Sequence, residues 1–169
     1  MPQLTFLSPQ GYLKIVENDG NITHLNWVTE QSIGLEKCVN TDLLLETKKQ
    51  VLAYFEGKKT NFLDLPLSPK GTQFQQNVWT ALSNIQYGKV KTYGDIAREV
   101  GSVARAVGGA CGANPIPIII PCHRVIAGNQ NLGGFSGGQQ GQGDQSKKEL
   151  LLIEGFKLFE DKQPDLPGL

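Results

Sequence analysis

The chain has 169 residues, a formal net charge of zero at pH 7 and 39% hydrophobic residues. This length allows one domain or two small ones, and the apolar fraction is typical of a folded protein and argues against a disordered one. No run of 18 apolar residues occurs and the first residues lack the features of a secretory signal, so we expect a cytoplasmic protein without a membrane partner.

The N-terminal part of the sequence predicts a small sheet with a helix across it. Residues 11–16 and 21–28 alternate apolar and polar side chains, with the turn-prone Asn18-Asp19-Gly20 between them, which predicts a β-hairpin. Apolar residues then recur at helical spacing over 43–55, and Gly57 is the expected end of this helix. No pattern of residues in this part is typical of catalysis.

A connector follows. A short strand is predicted over 62–65, and two prolines and a glycine lie within residues 64–71, which is typical of a link between domains. We therefore expect a supporting domain over residues 1–70 and a second domain over residues 71–169.

The second domain begins with helices. Helical spacing of apolar residues predicts a helix over 74–85, and Thr92 is a typical N-cap for a short helix through Val100, with Gly101 at its end. A further helix is predicted over 103–113. Two short helices joined by a tight turn with glycine indicate a helix-turn-helix, although all-helical cores often contain the same pattern.

The second of these helices carries almost no bulky side chains. Its small residues are Ala104, Ala106, Gly108, Gly109, Ala110, Gly112 and Ala113. Each glycine costs a helix about 0.8–1 kcal/mol relative to alanine, so we expect a compensating contact. Either the helix packs closely on another helix, or a nucleic-acid backbone approaches it with Arg105 projecting past it. Over 86–125 five basic residues face two acidic ones, a local charge of +3 that permits phosphate contacts without requiring them.

The stretch most informative about chemistry is 114–125, Asn-Pro-Ile-Pro-Ile-Ile-Ile-Pro-Cys-His-Arg-Val. Its three prolines exclude a regular helix, and we expect a rigid, buried segment that holds Cys122 in one place. A reactive cysteine needs a base or a positive charge nearby. Adjacent side chains usually diverge, so we expect His123 to reach the sulfur through a water, with Glu149 or Glu154 behind the imidazole. From these residues alone, Cys122 is interpreted equally well as a buried cysteine with a purely structural role.

The remaining cysteines show no sign of reactivity. Cys38 and Cys111 have no adjacent base and are interpreted as filler thiols. Three cysteines without Cys-x-x-Cys spacing argue against both a disulfide framework and a zinc site. The glycine-rich residues 138–146 predict a loop before a final helix that begins at Lys147, and the tail beyond residue 159 is expected to fray.

The pentapeptide Pro-Cys-His-Arg-Val at 121–125, with the preceding Asn-Pro-x-Pro-Ile-x-Ile, resembles the O(6)-alkylguanine-DNA alkyltransferases, also called methylated-DNA–protein-cysteine methyltransferases. Further segments follow the order found in that family: 71–79, 93–97, 104–110, 134–138 and 154–155. The resemblance implies an α+β fold, with a ribonuclease H-like N-terminal domain and a mostly helical, winged-helix-like C-terminal domain that contains the helix-turn-helix. Over residues 1–70 it rests on size and a strand-strand-helix outline only.

The resemblance also implies catalytic roles. Cys122 would accept the alkyl group from O(6)-alkylguanine irreversibly, and O(4)-alkylthymine is a further candidate substrate. His123 would act as base through a water, and Glu154 would orient His123. Asn114 would hydrogen-bond near the cysteine, and Tyr93 would contact the flipped base and donate a proton.

The implied partner is double-stranded DNA with an alkylated guanine, bound through the minor groove by a monomer. Arg105 would fill the space that the extruded nucleotide leaves. The helix residues expected to approach the DNA are Ala104, Gly108, Gly109, Cys111 and Gly112. Those expected to form the guanine pocket are Pro117, Val125, Phe135 and Ser136. No cofactor and no metal are implied, because the protein itself is the second substrate.

Two other functions fit parts of this pattern. One is a non-catalytic module that recognises alkylated guanine, but alkyltransferase-like proteins of that kind lack the cysteine that stands here as Cys122. The other is a thiol hydrolase that uses Cys122 and His123. A hydrolase turns over repeatedly, whereas an alkyl acceptor reacts once per molecule.

Overall fold

The computed structural model describes residues 1–34, 37–128 and 142–156. Its N-terminal part is a three-stranded antiparallel sheet in the order of the chain: β1 (Gln3–Ser8), β2 (Gly11–Asn18) and β3 (Asn21–Val28). The predicted hairpin of β2 and β3 is confirmed. Asp19 and Gly20 join the strands with φ angles of 50° and 78°, the positive values that a two-residue type I′ turn requires. Strand β1, which the sequence analysis missed, pairs along the other edge of β2.

Helix α1 (Asp42–Phe55) confirms the predicted helix of this part. The Thr41 side chain accepts a hydrogen bond from the Leu44 amide at its start, and Gly57 follows its end with φ 74°. The helix packs on the sheet through a buried face that includes Leu44 and Val51.

The strand predicted over 62–65 is wrong. Asn61 accepts a hydrogen bond from the Leu63 amide at 3.2 Å, which turns the chain at this point. Instead, Leu67 forms a single parallel bridge with Ile22 of β3. The connector therefore lies against the sheet edge without adding a strand.

The described residues of the second part form four α-helices: α2 (Gln73–Ser83), α3 (Tyr93–Val100), α4 (Ala104–Gly112) and α5 (Gln142–Ile153). The predicted cap of α3 is confirmed, since Thr92 and Asp95 exchange side-chain-to-backbone hydrogen bonds and Gly101 ends the helix with φ 70°. Helices α3 and α4 follow each other as the helix-turn-helix pattern predicts. The Trp79 indole of α2 donates to the Ala110 carbonyl of α4 at 2.9 Å, and this hydrogen bond holds α4 against α2.

Two short strands pair beside the segments that contain Tyr93 and Cys122. Strand β4 (Lys91–Thr92) directly precedes Tyr93, and β5 (Val125–Ile126) directly follows Arg124. The strands pair in parallel. This pairing sets the start of α3 beside the Cys122 segment. The sheet followed by helices confirms the predicted α+β class.

Helix α5 corrects the predicted loop. The structure describes a helix from Gln142, so residues 142–146 are helical, while 138–141 lie outside the described residues. Ser146 and Lys147 are both buried, so this part of the polar stretch packs against the rest of the protein. Across the described part of the chain, no helix is long and apolar enough to cross a membrane. The tail that was expected to fray also lies outside the described residues.

Candidate active site

Cys122 begins a short 3₁₀ turn, Cys122–Arg124, directly after Pro121. Its side chain is 2% exposed and belongs to the main core. The preceding segment contains no regular helix, as its prolines predict. Ile118 in this segment has φ 73°, a conformation that costs a β-branched residue about 1–3 kcal/mol. The surrounding fold therefore holds Cys122 in place at the expense of local backbone strain.

Asn114 closes the segment that carries the cysteine. Its side-chain amide donates to the Ile120 carbonyl at 2.9 Å, and its side-chain oxygen accepts from the Ile116 amide at 3.0 Å. It also acts on the Cys122 thiol and lowers the pKa of that thiol, against the larger effect of burial. Asn114 thus lies where the resemblance implies, beside the sulfur and across the turn.

Glu154 is the centre of a buried charge cluster directly beyond the cysteine. Its Oε2 lies 2.6 Å from His123 Nε2 and accepts the Tyr54 hydroxyl at 2.6 Å. Its Oε1 accepts from Arg124 Nε and from the Gly88 amide, each at 2.9 Å. These five groups come from four segments of the chain, since His123 and Arg124 are neighbours, and Glu154 is the one among them that contacts each of the other four.

Of the two acidic residues proposed behind the imidazole, Glu154 is the one in contact with His123. Glu149 lies on α5, whereas Glu154 follows the end of that helix, and the Glu149 carboxylate accepts from Gln10 at 3.3 Å and from Gln145 at 3.0 Å. Burial by itself would raise the pKa of Glu154, but the bonds from His123, Arg124 and Tyr54 outweigh burial and lower it to about 2. Glu154 is therefore ionised at neutral pH.

His123 is a neutral base in this setting. Burial lowers its pKa, against the opposing hydrogen bond and charge of Glu154. Because Nε2 faces an ionised carboxylate, Nε2 carries the proton and Nδ1 is the basic nitrogen. Among the described residues Nδ1 has no hydrogen-bond partner although it is buried. Among the described residues the imidazole makes no direct hydrogen bond with the Cys122 sulfur, and the expected contact through a water stays a prediction.

The Cys122 thiol is protonated at rest. Burial raises its pKa to about 11, and the rise is opposed by Asn114, by the positive charge of Lys147 and by nearby backbone amides. A thiol of this kind reacts only when a base removes its proton during the reaction. His123, the next residue in the chain, supplies a basic nitrogen, Nδ1, that has no partner among the described residues.

Lys147 is a site residue that the sequence analysis missed. Its side chain is 1% exposed, and its ammonium group donates to the Tyr93 hydroxyl at 3.3 Å and lies 5.4 Å from the centre of that ring. A lysine on a helix is normally exposed, so composition gave no reason to single it out. Helical spacing could have found it, because Lys147, Leu150 and Glu154 recur on one face of the final helix.

Five of the other predicted residues line an open cavity of about 790 Å³ on the outer side of α3 and α4. The predicted residues that line it are Tyr93, Ala104, Arg105, Gly108 and Gly109. Arg98 also lines it and is paired with Asp95 at the surface. Arg105 is exposed and extends from the first turn of α4.

Gly108 and Gly109 of α4 are not explained by close helix packing. A Cβ atom placed on Gly108 or Gly109 would have no atom within 4 Å. These two glycines therefore leave an open surface. Cys111 differs from them, because its side chain is 6% exposed and points into the core. The Cys111 side chain therefore offers no surface to DNA, which agrees with the filler interpretation, and a contact of DNA with the Cys111 backbone stays a prediction. Gly112 is half-buried.

The predicted guanine pocket is described only in part. Pro117 and Val125 are both buried, and Val125 belongs to β5. Phe135 and Ser136 lie outside the described residues. Their predicted roles stay predictions.

Two family profiles match the chain in succession. Residues 4–69 match the ribonuclease-like domain of 6-O-methylguanine DNA methyltransferase, and residues 73–156 match the DNA binding domain of the same family.

Individual relatives agree with these profiles. The methylated-DNA–protein-cysteine methyltransferase of Haemophilus influenzae is 42% identical over 87% of this chain and 82% of its own length. The constitutive enzyme of that name from Bacillus subtilis is 44% identical over 87% of this chain and 91% of its own length. Among solved structures, Mycobacterium tuberculosis OGT in complex with DNA superposes with a TM-score of 0.78 at 39% identity, covering 91% of this chain and 92% of that one.

Proposed function

The chain belongs to the 6-O-methylguanine DNA methyltransferase family, and we propose that Cys122 is the residue that accepts the alkyl group. Its activity is that of a methylated-DNA–protein-cysteine methyltransferase, which repairs DNA by direct reversal. The observation that supports Cys122 as acceptor is the Glu154-centred charge cluster. It holds His123, the residue next to Cys122, as a neutral base with a buried, unpartnered Nδ1.

The proposed transfer moves one proton away from sulfur and supplies another to guanine. The Cys122 thiol proton passes through a water to His123 Nδ1, and the ionised Glu154 stabilises the resulting imidazolium. The sulfur attacks the alkyl carbon, the bond from that carbon to the guanine oxygen breaks, and its electron pair stays on the guanine. Tyr93 donates a proton to the guanine as it leaves. Lys147 lies against the Tyr93 hydroxyl and stabilises the negative charge left on it.

The product is a thioether on Cys122, which none of these groups can reverse. We therefore propose that each molecule acts once. Burial of the sulfur keeps other electrophiles away, and the raised pKa of the thiol limits reaction to the moment when His123 takes the proton. Whether O(4)-alkylthymine is also accepted depends on the pocket, which includes Phe135 and Ser136.

We propose that the DNA lies across α4 with its minor groove on the open surface at Gly108 and Gly109. Two glycines on an exposed face allow a nucleic-acid backbone to approach closely, and the solved relative from Mycobacterium tuberculosis has DNA bound. A base must leave the stack before its substituent can reach a buried sulfur, at a cost of a few kcal/mol. Arg105 is proposed to fill the gap.

Mass analysis of intact protein and of its peptides tests the proposed acceptor. After incubation with duplex DNA that contains O(6)-methylguanine, we expect one added methyl group per molecule, located on the Cys122 peptide. Cys38→Ala and Cys111→Ala are the matched controls, and both should be methylated as the wild type is. A methyl group on another residue, or repeated turnover without an adduct, would contradict the proposal and favour the hydrolase.

Arg105→Ala is expected to slow repair of methylated duplex about 10- to 100-fold, because about 1.4–2.8 kcal/mol of the cost of base extrusion is no longer compensated. Reaction with free O(6)-benzylguanine, which needs no extrusion, should change little. Single-turnover rates on both substrates measure the difference.

Arg98→Ala is the control for Arg105, since it removes the same charge from the same cavity. We expect Arg98→Ala to have a smaller effect that weakens as salt is raised. Equal slowing of Arg105→Ala on duplex and on the free base would argue against insertion into the duplex.

We also propose a cytoplasmic location. The acceptor must stay a reduced thiol, and Cys38, Cys111 and Cys122 are all free. That the chain acts as a monomer and needs no cofactor remains a prediction.

A further inference from the structure

The N-terminal part of the chain reaches the charge cluster through Tyr54, on the last turn of α1. The Tyr54 side chain is fully buried, and its hydroxyl donates to Glu154 Oε2 at 2.6 Å. The same hydroxyl lies 3.3 Å from His123 Nε2. Tyr54 is the member of the cluster that comes from the sheet-and-helix part rather than from the helical part.

We propose that Tyr54 is a positioning residue for alkyl transfer, which fixes the carboxylate oxygen of Glu154 that holds His123. This inference rests on the proposed roles of Cys122 and His123. It gives the N-terminal part a specific task in the reaction, namely to supply a hydroxyl to a site built otherwise from the C-terminal part.

The two oxygens of Glu154 have different partners, and this difference shows what Tyr54 adds. Oε1 is held by the Arg124 guanidinium and the Gly88 amide. Oε2 receives His123 and Tyr54 at 2.6 Å each and only a longer contact of 3.2 Å from Arg124. Arg124 already bonds both oxygens of Glu154, and its bond to Oε2 is the longer one. Without the Tyr54 hydroxyl, the guanidinium is the strongest remaining competitor for Oε2, and a shorter Arg124–Oε2 bond would draw this oxygen from His123.

Tyr54 is suited to this task because it stays a neutral donor. Burial first, and then the negative charge of Glu154, raise the pKa of its phenol far above the physiological range. The hydroxyl therefore donates to Glu154 at every pH at which the protein works. It adds a hydrogen bond to the carboxylate without adding a charge that would compete with the imidazolium.

The position of the hydroxyl is set by packing within the core. The Tyr54 ring has edge-on or tilted contacts with Phe55, Phe62, Tyr87 and His123, with centroid separations of 5.7, 5.8, 6.1 and 6.3 Å. A ring enclosed on several sides cannot swing its hydroxyl away from Glu154 without disturbing these neighbours. The N-terminal helix thus determines where Oε2 lies.

A second residue of the N-terminal part, Gln10, contacts α5, the helix that precedes Glu154. Gln10, in the turn after β1, donates to the Ser146 carbonyl at 3.0 Å and accepts from the Trp27 indole at 3.3 Å. Ser146 precedes Lys147 in α5, and Glu154 follows the end of that helix. The N-terminal part therefore contacts α5 near its first turns through Gln10 and just beyond its end through Tyr54.

Tyr54→Phe tests the proposal, because it removes the hydroxyl and keeps the ring. We expect alkyl transfer from saturating methylated duplex to slow about tenfold, with unchanged affinity for the duplex. The acid limb of the rate profile should move to higher pH, because Glu154 loses a donor that lowers its pKa. The charged or titratable groups that still face Glu154 are His123, Arg124 and Tyr87.

Thr47→Ala is the matched control, since Thr47 is a fully buried residue of the same helix whose hydroxyl donates to the Leu43 carbonyl at 2.8 Å. This variant should lower the melting temperature but leave the transfer rate and its pH profile as in the wild type. Rates are compared well below the lowest melting temperature of the set, so that lost stability is not mistaken for lost positioning.

A wild-type rate and pH profile in Tyr54→Phe would overturn the proposal, as would an equal shift of the profile in Thr47→Ala. Either result can occur while wild-type protein is methylated on Cys122. Absence of methylation on Cys122 in the wild type would instead overturn the proposed acceptor itself, so the two failures are distinguishable.

Discussion

Cys122→Ala is expected to abolish alkyl transfer completely and to leave the affinity for methylated duplex DNA unchanged. The substitution removes only a sulfur that is 2% exposed, whereas the proposed DNA surface at Gly108 and Gly109 lies on the outer side of α4. Transfer of a labelled methyl group and fluorescence anisotropy with a methylated duplex measure the two properties separately.

Cys111→Ala is the control for this experiment, because it removes the other buried thiol of the described residues. Burial raises the pKa of Cys111 to about 12, so it has even less tendency than Cys122 to form a thiolate. We expect this variant to keep full transfer. If Cys122→Ala loses both DNA affinity and the folded structure, Cys122 is structural; if it keeps any transfer, the acceptor lies elsewhere.

Glu154→Gln is expected to lower the free energy of unfolding by about 3–5 kcal/mol and to slow transfer. The variant leaves the Arg124 guanidinium buried without an anionic partner, and breaking one side of a buried ion pair has costs of this order. It also removes the charge that stabilises protonated His123. Denaturant unfolding and single-turnover rates measure the two effects.

The same residue gives stability a defined pH dependence. The pKa of Glu154 falls from its ordinary value of 4.5 to about 2 in the folded chain, so the folded state favours the ionised carboxylate. Its contribution, on the order of 3 kcal/mol, is fully present above pH 4.5 and is lost as the pH falls towards 2. The wild type should lose stability over this interval by more than Glu154→Gln does.

Glu149→Gln provides the comparison for Glu154→Gln. Glu149 is a half-buried carboxylate on α5 whose partners are the amides of Gln10 and Gln145 rather than a buried cation. We expect a small loss of stability at neutral pH. Between pH 4.5 and 2, Glu149→Gln should lose as much stability as the wild type does. Similar behaviour of the two variants would show that the charge cluster does not stabilise the fold as proposed.

Several elements were determined by the sequence alone, because their causes are local. The turn at Asp19 and Gly20 requires positive φ angles, and Asn-Asp-Gly supplies residues that adopt them. The cap of α3 depends on Thr92 and Asp95, three residues apart. The prolines before Cys122 exclude a helix wherever the segment is placed. The adjacent His123 and the family resemblance, confirmed by the matching profiles, identified the chemistry.

Other features were decided only by the tertiary structure, because their partners are far apart in the chain. Tyr54 and Glu154 are 100 positions apart, and no local pattern indicates that a helix tyrosine contacts that carboxylate. Gln10 and Ser146 are 136 positions apart, yet their contact accompanies a helix that begins within the predicted loop. Lys147 is a further example, since the Tyr93 hydroxyl that it contacts is 54 positions away in the chain. The reacting residues could thus be read from short segments, whereas the groups that position them are brought together only by long-range packing.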